Sequence, residues 1–409
     1  LGTVTLTPSG DTTGTTDDTN FASAVSALPA GGEIRLVANF NTPFYTKTGW
    51  MVPAQTVPGT SGGGPVCIQG VGQPVLMPVG AAITAISYHR TSNYAGGADH
   101  WPGGYIRDIV VDGTNATGAS VGIDAGDAFG MHIRAWVKNF TGTGAVGFNQ
   151  VNRVFFTEKS TFEVQSYNNA TAMVLGHVSP GSNSHEYNNY DIVVYATGLD
   201  ASGNSLNQNG IVNKDSLGGC LLRIRGNMIP TTATSGAPTG NAAMLSCIGS
   251  NAIIYRSQIY ARVEVNSYSG TGSVAPYAYF SDGNGIVQHV DGQLGVAHGL
   301  SGVHTNGAEF TFGGDIPISQ FPGWPATGRW AAATPGSTVS APASGSLWTN
   351  LGPDAVVAVD SRAGTTGIQL NGRGTGLTSG PFFVSAGSTL KIFWSGSPPT
   401  VNFVNARQA

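Results

Sequence analysis

The chain has 409 residues, of which only 10% are charged and 60 are glycine, with a formal net charge of −4. Ordinary globular chains carry roughly a quarter charged residues and about half this glycine share, so the composition points to a turn-rich β protein. A hydrophobic content of 40% excludes general disorder, 18 basic residues give no basis for nucleic-acid binding, and no stretch approaches the ~18 apolar residues of a membrane-inserting span.

Residues 1–104 read as an N-terminal cap with the first turns of a larger β body. Thr15-Thr16-Asp17-Asp18-Thr19 precedes apolar residues at helical spacing, Phe21, Ala24, Val25 and Leu28. Asp18 or Thr19 suits an N-cap, because its side-chain oxygen can accept an orphan backbone N–H. Pro29-Ala30-Gly31-Gly32 stops the helix, and Glu33-Ile34-Arg35-Leu36-Val37 alternates as a strand. So short a helix cannot bury its apolar face alone. It is expected to plug the open end of a repeat structure, whose terminal units need capping.

Residues 105–330 carry a loose internal repeat. Ile109, Ile133, Phe162, Ile192, Leu222 and Ile259 anchor alternating strands at separations of about 24 to 37 residues. A second series has about the same spacing: Gly122-Ile123-Asp124, Gly147-Phe148-Asn149, Met173-Val174-Leu175, Gly210-Ile211-Val212 and Ala243-Met244-Leu245. Two strands repeating at one coil length predict a parallel β-helix, with Ile133, Phe162, Ile192, Leu222 and Ile259 in one inward stack. An Ala-, Pro-, Ser- and Gly-rich linker is expected at 331–346. Beyond it, 347–409 contains Ala355–Val359, Gly367–Leu370 and Thr389–Trp394 as strands of a small antiparallel sandwich-like module.

Gly10-Asp11, the Thr16-Asp17-Asp18-Thr19 run, the short helix, Gly31-Gly32 and the next strand resemble the entrance to the pectate-lyase-like right-handed β-helix superfamily. Trp50-Met51-Val52-Pro53 and Val66-Cys67-Ile68-Gln69-Gly70 resemble its next two strands. Further along, Asp124-Ala125-Gly126-Asp127-Ala128-Phe129-Gly130, Val137-Lys138-Asn139-Phe140-Thr141-Gly142 and Phe156-Thr157-Glu158-Lys159 resemble minor tail proteins, or tailspikes, of long-tailed phages of actinobacteria. Asn207-Gln208-Asn209-Gly210, Leu222-Arg223-Ile224-Arg225-Gly226-Asn227 and Pro381-Phe382-Phe383-Val384 resemble the same family. The resemblance implies an all-β right-handed parallel β-helix with a capping helix and a C-terminal β-module. It also implies a homotrimer at the virion tail tip, contacting other phage tail proteins and a host cell-surface glycan or glycolipid.

Side chains alternate across a strand. With Ile133, Ala135 and Val137 inward, His132, Arg134, Trp136 and Lys138 face outward. The same phase exposes Glu163, Gln165 and Tyr167; Asp191, Val193 and Tyr195; Arg223 and Arg225; and Tyr260, Arg262 and Glu264. Arg134, Trp136, Tyr195, Arg225 and Tyr260 are the candidate glycan-binding residues. The competing reading makes this face a subunit interface, where Arg and aromatics are also enriched.

Glycan hydrolysis needs two carboxylates about 5 to 10 Å apart. Candidates are Glu158 with Glu163, Glu186 with Asp191, and Asp124 with Asp127; Glu158, Glu163 and Asp191 are the leading catalytic residues. Lyase chemistry would use His177 or Arg223 beside a carboxylate. No paired-Asp and Gly-His-Gly signature of polygalacturonase-like hydrolases is present, so binding without turnover stands against a depolymerase and against a purely structural role. Asp124-Ala125-Gly126-Asp127 hints at a Ca²⁺ loop but lacks EF-hand spacing. Cys67, Cys220 and Cys247 have neither disulfide nor metal spacing, so neither a metal site nor a cofactor is expected. Sequons at Asn115, Asn139 and Asn169 read as chance in so Asn- and Thr-rich a chain.

Overall fold

A computed structural model describes residues 2–53, 65–89, 103–153, 156–178, 184–195, 209–228, 231–232, 243–265, 273–274, 277–296, 303–304, 308, 310–312, 338–340, 344–349, 355–359, 364–384, 388–396 and 399–405. Most of the linker expected at 331–346, and part of the Asn207–Gly210 match, lie outside them.

The alternating segments wind into a right-handed parallel β-helix. Its first sheet stacks Tyr105–Asp112, His132–Lys138, Thr161–Tyr167, Asn189–Tyr195, Leu221–Met228 and Gln258–Val265, each parallel to the next. A second sheet runs from Trp50–Pro53 through Thr84–His89, Val121–Asp124, Val146–Asn152, Thr171–His177, Asn209–Asn213, Ala243–Cys247 and Tyr277–Ser281. A third, of shorter strands, stacks Thr157–Glu158, Ser184–Glu186, Ser216–Gly218 and Ile253–Tyr255.

Register decides which inward residues stack. One rung of the first sheet is Ile106, Ile133, Phe162, Tyr190, Leu222 and Ile259. Ile109 and Ile192 do not join it. They sit one inward position further on, in the rung Ile109, Ala135, Val164, Ile192, Ile224 and Ala261. Both rungs are buried, so the inward phase expected for Ile192 holds while its partner changes. In the second sheet Ile86, Ile123, Phe148, Met173, Ile211, Leu245 and Tyr279 form one continuous stack. Phe162 lies 5.3 Å from Tyr190 within its own sheet, and 5.5 Å from Phe148 between ring centroids, a contact that ties the two sheets across the interior.

The corner between the third and first sheets repeats one backbone device. Gly130, Lys159, Tyr187, Gly219, Arg256 and His289 all have positive φ. Successive N–H groups there bond down the stack: Lys159 to Glu186 O, Tyr187 to Gly218 O, and Gly219 to Tyr255 O. Just inside, Ser160 N donates to Asn188 Oδ1 at 2.9 Å and Cys220 N to Ser257 Oγ at 3.0 Å. At another corner Asn169 Oδ1 accepts from Phe140 N, and Asn169 Nδ2 donates to Val137 O. Asn169 is therefore a buried structural side chain, not an accessible sequon.

The helix spans Thr15–Ser26, beginning earlier than Asp18 or Thr19 would allow as a cap. Gly14, at φ 82°, takes the N-cap place, and a Cβ there would come within 2.7 Å of Lys47 N. The two aspartates have another use. Asp17 accepts from Ser9 N and Tyr45 N, and Asp18 from Lys47 N and Thr48 N, which clamps the helix to the following turn. Phe21 then stacks on Trp50 at 4.4 Å and 6°, closing the apolar interior.

The C-terminal strands form two antiparallel four-stranded sheets. Their own buried cluster contains Val357, Val359, Ile368, Phe382, Val384, Leu390, Ile392 and Val401. The strand Thr338–Ser340, within the expected linker, pairs with Thr400–Asn405.

Candidate functional site: the outer face of the first sheet

Alternation presents every second side chain of each first-sheet strand outward, and register aligns them into rungs. One rung is Arg107, Arg134, Glu163, Asp191, Arg223 and Tyr260; the next is Val110, Trp136, Gln165, Val193 and Arg225. A third carries Asp112, Lys138, Tyr167, Tyr195 and Asn227. All five candidate glycan-binding residues, Arg134, Trp136, Tyr195, Arg225 and Tyr260, thus lie on one face. The side chains of Arg262 and Glu264 are outside the described residues.

Large aromatic rings stand open on this face. Trp136 is 49% exposed, and Tyr167, Tyr195 and Tyr260 are each 44% exposed. Tyr167 and Tyr195, on adjacent coils, have ring centroids 6.3 Å apart. Such rings present both an apolar surface and a polar tip.

Most charged groups between them are matched locally. Arg134 donates from Nε and Nη2 to the two Asp108 oxygens at 2.9 and 2.8 Å. Asp108 is the extra residue of a bulge, at φ 59°, which turns its carboxylate toward that guanidinium. The Arg134 hydrogen bond holds Asp108 below the ordinary carboxylate value. Lys138 Nζ lies 2.9 Å from Asp112 Oδ2. Burial alone raises Asp112, but hydrogen bonds from Thr114, Asn139 and Lys138 outweigh it and lower its pKa. His132 Nε2 is 3.4 Å from Glu163 Oε1, and Arg225 Nη2 is 2.6 Å from Asp191 Oδ1.

The acidic candidates separate. Glu163 and Asp191 are rung neighbours on adjacent coils of the first sheet. Glu158 belongs instead to the third sheet, where its rung neighbour is Glu186 and Lys159 Nζ sits 3.0 Å from its carboxylate. The Asp124–Asp127 loop holds a guanidinium: Arg153 bonds Asp124 Oδ2 at 2.5 Å, and Arg153 N bonds Asp127 Oδ1 at 2.9 Å. His177 meets a carboxylate, with Nδ1 3.2 Å from Asp215 Oδ1, but Asp215 is fully enclosed inside the coils. Among the described residues no group of three or more His, Cys, Asp or Glu is assembled to hold a metal ion. No helix there is long and apolar enough to cross a membrane.

Sequence reasoning identified the face from alternation but missed Asp108 as its counter-ion. The only available signal was a strand one residue longer than its neighbour, Tyr105–Asp112 against His132–Lys138.

No family model matches the chain, and no curated protein matches it. Among solved structures, it is similar to the tailspike protein gp49 from Acinetobacter baumannii bacteriophage Fri1, a capsular polysaccharide depolymerase. The identity is 9% and the TM-score 0.18, over 99% of this chain and 85% of that one. A likeness at that level carries no argument about the site, which stands on its own residues.

Proposed function

We propose that this chain is a phage tail-spike component that binds a host cell-surface glycan through the outer face of its first sheet. The observation carrying the reading is the alignment of open Trp136, Tyr167, Tyr195 and Tyr260 with Arg134 and Arg225 on one face. Aromatic rings stack on the apolar faces of sugars, and guanidinium and amide groups bond hydroxyls. The sequence resemblance supports a minor tail protein of an actinobacterial phage, assembled as a homotrimer at the tail tip beside other tail proteins. Three copies would raise avidity by linkage without strong affinity at any one site. Substituting Trp136 and Tyr195 by Ala is expected to reduce adsorption to host cells while leaving the circular dichroism unchanged. Undiminished adsorption by that double variant would overturn the reading.

A depolymerase is the second reading, favoured by the placement of Glu163 beside Asp191. Neighbouring parallel strands lie about 4.8 Å apart, near the separation used by retaining glycosidases. Both carboxylates are already engaged, by His132 and Arg225, which ranks turnover behind binding. Release of reducing ends or unsaturated uronate, abolished by changing Glu158, Glu163 or Asp191, would promote this reading.

A further inference from the structure

Among the described residues, the carboxylates of the first-sheet face are taken by four partners, and Arg107 and Arg223 receive none. Asp108 goes to Arg134, Asp112 to Lys138, Glu163 to His132 and Asp191 to Arg225. Arg107 lies 2.7 Å from His132 Nδ1 and over the Tyr105 ring. Arg223 is exposed, and no carboxylate among the described residues forms an ion pair with it. By register it stands between Asp191 and Tyr260. Asp191 is turned along the face to Arg225 instead.

Arg223 and Arg225 therefore project from one strand on the same side, two residues and about 6.6 Å apart, with Asp191 bonded to Arg225. Like charges so placed repel. An anion seated over Arg223 would relieve that repulsion, and a guanidinium matches a carboxylate in a bidentate fork. The half-open Tyr260 ring, one coil further on, supplies the adjacent apolar surface.

We infer that the glycan taken by this face is anionic, and that Arg223, with Arg225 and Tyr260 beside it, receives a carboxylate-bearing sugar. The inference rests on the glycan-binding reading above and adds the ligand's charge and the position that reads it. It also means that the site selects by sign: the chain as a whole is negative, at −4, so general electrostatics would repel such a polymer.

The test uses the full chain and bacterial envelope polysaccharides in matched pairs, each with its uronates intact or reduced to neutral hexoses. Affinity electrophoresis should show tighter binding to the intact member. Arg223→Gln should weaken that binding by about 10-fold or more, the scale of one charged hydrogen-bonded contact, and bring it to the level of the reduced polymer. Arg223→Lys should retain part of the preference and controls for folding. Trp136→Ala should weaken binding to both members alike. Equal binding of intact and reduced polymers by the unaltered chain, or an Arg223→Gln variant that binds like it, would overturn the anionic assignment and leave the glycan reading standing. Preference for phosphodiester-bearing over uronate-bearing polymers would overturn the carboxylate. An unaltered chain that binds no polysaccharide would remove both readings together.

Discussion

His185 Nε2 lies 3.3 Å from Asp215 Oδ2, and both side chains are completely enclosed inside the coils. Asp215 reaches His177 Nδ1 with its other oxygen at 3.2 Å. Asn152 Nδ2 and Gly176 O also approach His185 Nε2, and Tyr190 donates to Gln150 Oε1 at 2.7 Å nearby. The interior is thus a mixed core, apolar along the first sheet and polar where the second and third sheets meet. Buried polar groups are tolerated only with partners, so this cluster is expected to be a sensitive point of the fold.

Replacing Asp215 by Ala should destabilise the protein by roughly 1–3 kcal/mol, the range for leaving buried polar partners unsatisfied. Asp215→Asn, which keeps the shape and two polar atoms, should cost less. Equilibrium denaturation of the two variants beside the parent measures the difference, and equal small effects would show that the network is dispensable.

Gly226 sits at φ 122°, and a Cβ there would stand 2.0 Å from Val194 O. Backbone strain and overpacking each cost about 1–3 kcal/mol. Gly226→Ala should therefore cost about 3 kcal/mol or more, with damage centred on the Asn189–Tyr195 and Leu221–Met228 pair. Hydrogen exchange should show the loss of protection beginning there.

Asp108 and Asp112 both have folded pKa values below the ordinary 3.8. The unfolded chain then binds protons more readily than the folded one in acid. Their contribution is fully present above the unfolded value and is lost as pH falls through the lower folded values. Denaturation midpoints should fall as the pH drops below the ordinary carboxylate value, and Asp112→Asn should flatten that slope. A slope unchanged in Asp112→Asn would exclude this carboxylate as a source.

Burial pushes Cys220 up to about 12 and Cys247 up to about 11, from an ordinary 9.0. Both should resist thiol reagents at neutral pH in the folded protein and react after denaturation, since the thiolate is the nucleophile. Above about pH 9 the unfolded thiols lose protons and the folded ones keep them, so stability should fall with rising pH. Cys220→Ala and Cys247→Ala should reduce that alkaline loss. Rapid native labelling at neutral pH would contradict the burial of both sulfurs.

Strand alternation is a local property, and the chain declares it directly. Ile133, Ala135 and Val137 are inward and Arg134 and Trp136 outward because successive side chains must point to opposite sides. Coil length was also legible, since each turn repeats the same need for inward apolar residues. The tertiary structure alone decided register. Whether Phe162 meets Tyr190 or Ile192 depends on how many residues the intervening corner consumes, and alternation is identical for both choices. The corners were hidden for a related reason. Lys159, Tyr187 and Arg256 adopt the left-handed conformation although none favours it intrinsically, because hydrogen bonds to the neighbouring coil hold each one there. The site inherits both dependences: its aromatic and basic residues could be placed on one face from sequence, but the pairing of Asp108 with Arg134, and the Arg223 that no carboxylate among the described residues pairs with, follow from a bulge and a register that exist only once the coils are stacked.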